Sequence, residues 1–96
     1  MQPDVELPLV AFVDDDAGYL AWVARNPGGF VVNTTRSPHR DYLMLHRASC
    51  RHISGARRSR WTHQYVKVCG PSAALLERWA ATELAGEAVR CGLCQP

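Results

Sequence analysis

The chain has 96 residues, which is the length of one domain, and we expect residues 1–96 to form it. Apolar residues make up 47% of the chain and charged residues 21%, which is typical of a globular protein and excludes a disordered one. The N-terminal segment has no apolar run long enough for a signal peptide or a membrane span. The sequence therefore predicts a cytoplasmic protein that has no membrane partner.

The net charge of +2 conceals a strong asymmetry along the chain. Residues 1–24 carry five acidic residues and no Lys or Arg. Residues 25–67 carry nine Lys or Arg residues against Asp41 alone, and eight of the nine are Arg. Because the planar guanidinium group binds phosphate and carboxylate in a fork, an Arg-rich middle third favours an anionic partner.

The first predicted element is a helix over about residues 17–25. Three consecutive aspartates at 14–16 precede it, and acidic side chains at a helix start bind free amides and complement the helix dipole. Apolar residues such as Tyr19 and Val23 recur at helical spacing. The Asn-Pro-Gly-Gly run at 26–29 then ends the helix.

The middle of the chain predicts three strands. Residues 30–35 are rich in β-branched side chains and lie between turn residues. Residues 42–46 follow a polar loop and predict the hairpin partner of that strand. A basic loop of small residues at 54–60 comes next, and residues 65–69 predict the third strand.

A second helix is predicted over residues 73–84, where helix-forming residues are frequent. Pro71 or Ser72 opens it, and Gly86 follows its expected end. The elements together indicate an α+β fold, a small domain with a short antiparallel sheet of about three strands and two helices.

Two pairs of metal ligands stand about forty residues apart. His46 and Cys50 form an H-x3-C pair after the second strand, and Cys91 and Cys94 form a C-x2-C pair near the C-terminus. Cys and His together suit Zn²⁺ in a closed structural site. A reducing cytoplasm favours metal binding over two disulfides or free thiols, which are the alternatives. We therefore expect one Zn²⁺ to staple the domain.

Cys69 competes with His46 for the fourth ligand position. If Cys69 replaced His46, the site would contain four cysteines. Cys69 also ends an apolar predicted strand, where a buried thiol behaves as a small hydrophobic residue. The sequence leaves both alternatives open.

The two ligand runs resemble those of the metal-binding domain of the bacterial Ada DNA-alkylation-response family. The runs are His46-Arg47-Ala48-Ser49-Cys50 and Cys91-Gly92-Leu93-Cys94-Gln95-Pro96. Similar short modules are found appended to bacterial nucleases. The resemblance covers roughly residues 30–96 and implies a small bacterial zinc domain associated with DNA.

One position departs from the Ada pattern. His46 stands where the Ada family has the cysteine that accepts a methyl group from DNA. Imidazole cannot replace a zinc-activated thiolate in that chemistry. The resemblance therefore implies the scaffold and not methyl transfer.

The Arg-rich loops predict a nucleic-acid surface, and the resemblance indicates DNA. Arginines beside an aromatic residue suit phosphate contact and base stacking. The candidate residues are Arg36, Arg40, Arg47, Arg51, Arg57, Arg58, Arg60 and Trp61. The alternative is that these arginines are only solvated and that Trp61 covers the core.

Two other classes of function are alternatives to nucleic-acid binding. A protein-interaction domain with a purely structural zinc could present Tyr19, Trp22 and Trp79 to a partner. An enzyme is disfavoured because the sequence shows no acid–base carboxylate pair, no Gly-rich phosphate loop and no nucleophile elbow. The aspartates at 14–16 could bind a divalent ion, but a helix cap explains them more simply. We expect a non-catalytic domain.

Overall fold

The computed structural model of the protein describes residues 9–54 and 60–96. Within these residues the chain forms an α+β fold of one five-stranded mixed sheet and three helices, which confirms the expected fold class. The elements in chain order are β1 (Val10–Phe12), α1 (Asp16–Arg25), β2 (Phe30–Thr35), β3 (Leu43–Arg47), α2 (Arg51–Ser54), β4 (Tyr65–Gly70), α3 (Ala73–Leu84) and β5 (Val89–Arg90). No helix in this part of the chain has the length and apolar character needed to cross a membrane.

The sheet has the strand order β1-β4-β2-β3-β5. The three predicted strands are its centre, and β2 and β3 form the predicted antiparallel pair. The edge strand β5 pairs with β3 in parallel, so the sheet is mixed rather than antiparallel. Strands β1 and β5 and helix α2 were not predicted, because segments of 3, 2 and 4 residues are too short to show a periodic pattern.

Helix α3 covers one face of the sheet. Ser72 caps its N-terminus by accepting a hydrogen bond from the Leu75 backbone N–H at 3.3 Å, as the sequence predicted. Leu76 and Trp79 are buried on the inner side of the helix. They belong to a continuous apolar core with alternate strand residues such as Val32 and Val68, which point to the same face.

Helix α1 lies over the opposite face. Asp15 caps it by accepting a hydrogen bond from the Gly18 backbone N–H at 2.9 Å. Tyr19 is completely buried, and its hydroxyl donates to the Ile53 carbonyl at 2.8 Å. Tyr19 belongs to a second apolar cluster, separate from the core under α3. The buried residues of this second cluster are Tyr19, Val31, Ala48, Cys50, Ile53, Cys69 and Cys91.

The aromatic surface suggested for a protein partner is not exposed. Tyr19 and Trp79 are buried, on opposite sides of the sheet. Trp22 is half-buried and packs against the second cluster. These residues are core residues because the sheet needs an apolar cover on both of its faces.

The aspartates at the start of α1 attach the helix to the segment that precedes β4. The Asp16 carboxylate accepts hydrogen bonds from the backbone N–H groups of Trp61 and Thr62 and from the Thr62 hydroxyl, at 2.7–3.1 Å. Asp14 pairs with Arg36 through two bonds of 2.7 and 2.8 Å. The hydrogen bond from Arg36 lowers the pKa of Asp14 to about 2. In the described residues the aspartates therefore cap and connect elements and form no metal-binding group.

Candidate metal centre

The parallel pairing of β3 and β5 brings the two ligand runs together. Leu45 lies beside Arg90 in this register, so the carboxyl ends of both strands are at the same end of the sheet. His46 is the second-last residue of β3, and Cys91 follows directly after β5. The Cys91 backbone N–H donates to the Leu45 carbonyl at 2.9 Å and continues the pairing by one residue. A sequence separation of more than forty residues thus becomes direct contact.

Each pair is completed by a tight turn. The Cys50 backbone N–H donates to the Arg47 carbonyl at 2.9 Å, and α2 starts directly after Cys50. In the C-terminal knuckle (residues 91–94), the Gln95 backbone N–H donates to the Cys91 carbonyl at 3.0 Å. These turns reverse the chain and return the second ligand of each pair, Cys50 or Cys94, towards the first.

Arg47 connects the two turns. Its backbone N–H donates to the Cys94 sulfur at 3.2 Å, and its guanidinium donates to the carbonyls of Cys94 and Gln95 at 3.0 and 3.1 Å. The guanidinium also lies over the Phe30 ring, 5.9 Å from the centroid. Arg47 therefore holds the C-terminal knuckle against β3.

Ligand atoms from His46, Cys50, Cys91 and Cys94 all lie within 4.8 Å of one another. His46, Cys50 and Cys91 are buried, and Cys94 is half-buried. In a tetrahedral site with metal–sulfur bonds of about 2.3 Å, the sulfur atoms are about 3.8 Å apart. Ligand atoms that lie as far apart as 4.8 Å would therefore have to move closer to one another around a bound ion. All four predicted ligands form one group that could hold a metal ion.

Backbone N–H groups surround the sulfur atoms. Leu93 donates to the Cys91 sulfur at 3.4 Å. Burial opposes ionisation of Cys91, but hydrogen bonds from the backbone N–H groups of Cys94 and Leu93 outweigh it and lower the pKa of this thiol. Burial raises the pKa of Cys50 to about 11, against a hydrogen bond from the His52 backbone. A divalent cation would favour the thiolate form of these cysteines, because only the thiolate is a metal ligand.

The chemistry of the donor set fits a closed metal site. Three sulfur atoms and one imidazole nitrogen suit borderline and soft metal ions and leave no position for water in a tetrahedral geometry. The backbone N–H groups around the sulfurs would stabilise their charge after the ion binds.

Cys69 lies outside this group. It is on β4, and β2 separates it from β3, so about 10 Å of sheet lies between Cys69 and His46. Cys69 is completely buried in the second cluster, and burial raises the pKa of its thiol. The alternative in which Cys69 replaces His46 is inconsistent with this geometry, and Cys69 behaves as a small core residue.

The residues predicted for nucleic acid divide into two sets. Arg36 is engaged with Asp14 and also donates to the His63 carbonyl at 2.8 Å, whereas Arg47 holds the C-terminal knuckle. Trp61 is half-buried and packs against the second cluster. These three side chains are therefore engaged in contacts within the domain.

The remaining candidates are on the surface or outside the described residues. Arg40, Arg51 and Arg60 are exposed. Arg51 begins α2, immediately after the ligand Cys50. Arg57 and Arg58 lie outside the described residues.

A cleft of about 490 Å³ opens beside the metal ligands. Its lining residues are Asn33, Tyr42, Met44, His46, His52, Ile53, Arg90, Cys91, Gly92 and Leu93. The sequence interpretation did not select this cleft. One signal was available, because Asn33 and Lys67 are polar residues inside otherwise apolar strands, and such residues must find partners when buried.

A smaller hollow of about 200 Å³ lies next to the cleft. Arg60, Trp61, His63 and Tyr65 are among its lining residues. The rings of Tyr65 and Tyr42 are in contact, with centroids 5.4 Å apart, and both side chains are 37% exposed. The tyrosine pair therefore stands between the two depressions.

Comparison of the chain with protein-family models, with curated protein sequences and with solved structures finds no match.

Proposed function

We propose that this protein is a zinc-stabilised, non-catalytic module that binds nucleic acid, with DNA as the favoured partner, and that it acts beside a nuclease or repair enzyme. Zinc is proposed because three cysteines and one histidine in a closed tetrahedron are a frequent structural zinc set. Zn²⁺ would supply no chemistry in such a site, since all four positions are occupied by protein ligands.

The tyrosine pair carries this proposal. Tyr42 and Tyr65 are exposed, in contact with each other, and each lines one of the two depressions. Exposed aromatic rings beside cationic side chains are the means by which proteins bind single-stranded nucleic acid without a fixed sequence. Each tyrosine remains 37% exposed although the two rings are in contact, so part of each ring is available to a ligand.

Cationic residues border this aromatic surface. Arg60 lines the smaller hollow, and Arg90, which is also paired with Glu77, lines the larger cleft together with the imidazole of His52. Arg51 is exposed beside His52 at the start of α2. This arrangement suits a phosphate backbone that passes over the tyrosines from one depression to the other.

The choice of DNA and of a repair or nuclease partner rests on the resemblance to the Ada domain and its relatives. That resemblance is carried by the ligand runs. The chain departs from the Ada pattern at one position, where His46 replaces the reactive cysteine. A histidine at that position supports a binding role rather than a group-transfer role.

The test is a titration of the zinc-loaded protein with fluorescent single-stranded DNA, duplex DNA and single-stranded RNA at several salt concentrations. We expect single-stranded DNA to bind and the logarithm of the affinity to fall linearly with the logarithm of salt concentration. The double variant Arg51→Ala/Arg60→Ala should reduce the magnitude of that slope by about 1.4, which is about 0.7 per lost phosphate contact.

Arg78→Ala is the matched control, because Arg78 is an exposed arginine of α3 on the other side of the sheet. It should leave affinity and slope unchanged. Affinity that does not respond to salt, or an equal effect of the control, would contradict nucleic-acid binding.

A second candidate is a protein-interaction module with a purely structural zinc. Val89 and Leu93, beside the metal ligands, are 59% and 44% exposed, and β5 is an edge strand of the sheet. An apolar sheet edge can accept an added strand from a partner protein. In this case Val89→Ser would abolish partner binding, and Arg51→Ala/Arg60→Ala would have no effect.

A further inference from the structure

We infer that the cleft beside the metal centre receives one unstacked nucleobase. This inference rests on the proposed function and names the part of the nucleic acid that this site would recognise. The cleft belongs to the same sheet face as the metal ligands, so the base would lie directly against the metal-bound turns.

The floor of the cleft is set by the strand register. Asn33 of β2 lies between Lys67 of β4 and Met44 of β3, and the three side chains are on the same sheet face. Asn33 and Met44 line the cleft, and His46 lines it two residues further along β3. The floor therefore combines one amide, one thioether and one imidazole.

The Asn33 amide has a defined orientation. Its oxygen accepts a hydrogen bond from the Lys67 ammonium group at 2.8 Å. Lys67 is buried and also donates to the Trp61 carbonyl, so its position is fixed. The Asn33 amide nitrogen points away from Lys67, towards Tyr42, whose hydroxyl lies 3.4 Å from it. Asn33 can thus offer an N–H donor to a ligand in the cleft.

The walls suit a flat aromatic ligand. Tyr42 offers a half-exposed ring, and Ile53 and Leu93 offer apolar side chains from α2 and from the C-terminal knuckle. Enzymes and readers that extrude a base hold it between aromatic and apolar side chains and hydrogen-bond its polar edge. The thioether of Met44 adds a polarisable contact below.

The size of the cleft agrees with a single base and its sugar. Pockets for small ligands measure about 300–1,000 Å³, and this cleft measures about 490 Å³. A base pair within a duplex could not enter. His52 at the cleft can donate a hydrogen bond to the phosphate attached to the base, whereas the Arg90 guanidinium donates to the Glu77 carboxylate at 3.3 Å and to the Pro96 carbonyl.

The first arm of the test measures binding of the four nucleoside monophosphates to the zinc-loaded protein by NMR. We expect chemical-shift changes at the Asn33 side-chain amide and at the backbone amides of Gly92 and Leu93. Tyr42→Ala should weaken nucleotide binding about 5- to 150-fold, which corresponds to the loss of one stacked base. Arg78→Ala is the control, because Arg78 is exposed on α3, on the other side of the sheet, and does not line the cleft.

Asn33→Asp tests the polar contact without a change of size. Aspartate retains an oxygen for Lys67, so the fold should be preserved, and the zinc content serves as the check. The N–H donor is replaced by an acceptor, so the order of preference among the four bases should change. An unchanged order in a folded, zinc-loaded variant would contradict the assigned role of Asn33.

The second arm uses single-stranded DNA and separates this inference from the proposed function. If DNA binds with the expected salt dependence while mononucleotides cause no shifts and Tyr42→Ala leaves the DNA affinity unchanged, the base site is wrong and the proposed function stands. If mononucleotides bind in the cleft but DNA does not bind, the base site is right, its ligand is a free nucleotide, and the proposed function is wrong. If neither ligand binds, both are wrong.

Discussion

The two faces of the sheet are built in different ways. The face under α3 is closed mainly by apolar side chains, among them Leu45, Val68 and Leu76, which are completely buried. Its buried polar residue Thr34 accepts a hydrogen bond from the His39 backbone N–H at 3.4 Å. The opposite face buries polar and ligating groups as well, including His46 and Lys67. The first face is stable wherever its helix can form and pack, whereas the second requires specific partners for each buried polar group.

This difference assigns separate roles to the two faces. The α3 face stabilises the domain through apolar burial, which tolerates many side chains of similar volume. The opposite face (the metal face) joins β3 to the C-terminal knuckle, and it contains the cleft. We therefore expect substitutions on the metal face to affect the site and substitutions on the α3 face to affect only stability.

The largest effect is expected for loss of the metal. Cys91→Ser should abolish stoichiometric zinc binding and greatly lower the free energy of unfolding, since structural zinc contributes on the order of 10 kcal/mol in small zinc domains. Zinc content and thermal unfolding with and without a chelator measure this. The matched control Cys69→Ala should retain one zinc per chain. A fully stable Cys91→Ser variant would contradict a structural metal.

A smaller effect is expected for Leu76→Ala in the α3 core. Removal of a completely buried leucine side chain should cost about 2–5 kcal/mol, because the cavity collapses only partly. Denaturant unfolding followed by tryptophan fluorescence measures this loss. Zinc content should remain one per chain, and a loss of zinc in the folded variant would show that the two faces are coupled.

The smallest effect is expected for Asp14→Asn, and it should depend on pH. The hydrogen bond from Arg36 lowers the pKa of Asp14 from its usual value of 3.8 to about 2. A lowered pKa means that the contribution of this carboxylate is complete above about pH 4 and disappears as the pH falls through 2. The melting temperatures of the wild type and the variant should therefore differ near neutral pH and converge below pH 2.

Asparagine is the suitable replacement because Asp14 has a positive φ of 52°, which Asn tolerates. Arg36→Gln removes the ion pair and also the hydrogen bond to the His63 carbonyl, so it should have the larger effect, and Asp14→Asn should add little in its presence. A difference in melting temperature that persists below pH 2 would show that the ion pair is not its cause.

The sequence alone determined the elements that are long enough to show a pattern. Helices α1 and α3 follow from capping residues and apolar spacing, and β2, β3 and β4 follow from β-branched runs between turns. The four candidate ligands were predicted from H-x3-C and C-x2-C, with Cys69 left as the alternative to His46, because a short spacing between strong ligands is itself typical of a metal site. Each of these features depends on residues that are close together in the sequence, so it can be predicted from the sequence alone.

Only the tertiary structure decided which groups meet. The parallel pairing of β5 with β3 places Cys91 beside His46. The two residues of β5, Val89 and Arg90, are too few to predict a strand from the sequence. The same register excludes Cys69 from the site and places Asn33 at the floor of the cleft. Arg36 and Arg47 looked like ligands for phosphate until the fold provided Asp14 and the knuckle carbonyls as partners. These outcomes depend on pairings between residues far apart in the chain, which the spacing of residues within one segment does not encode.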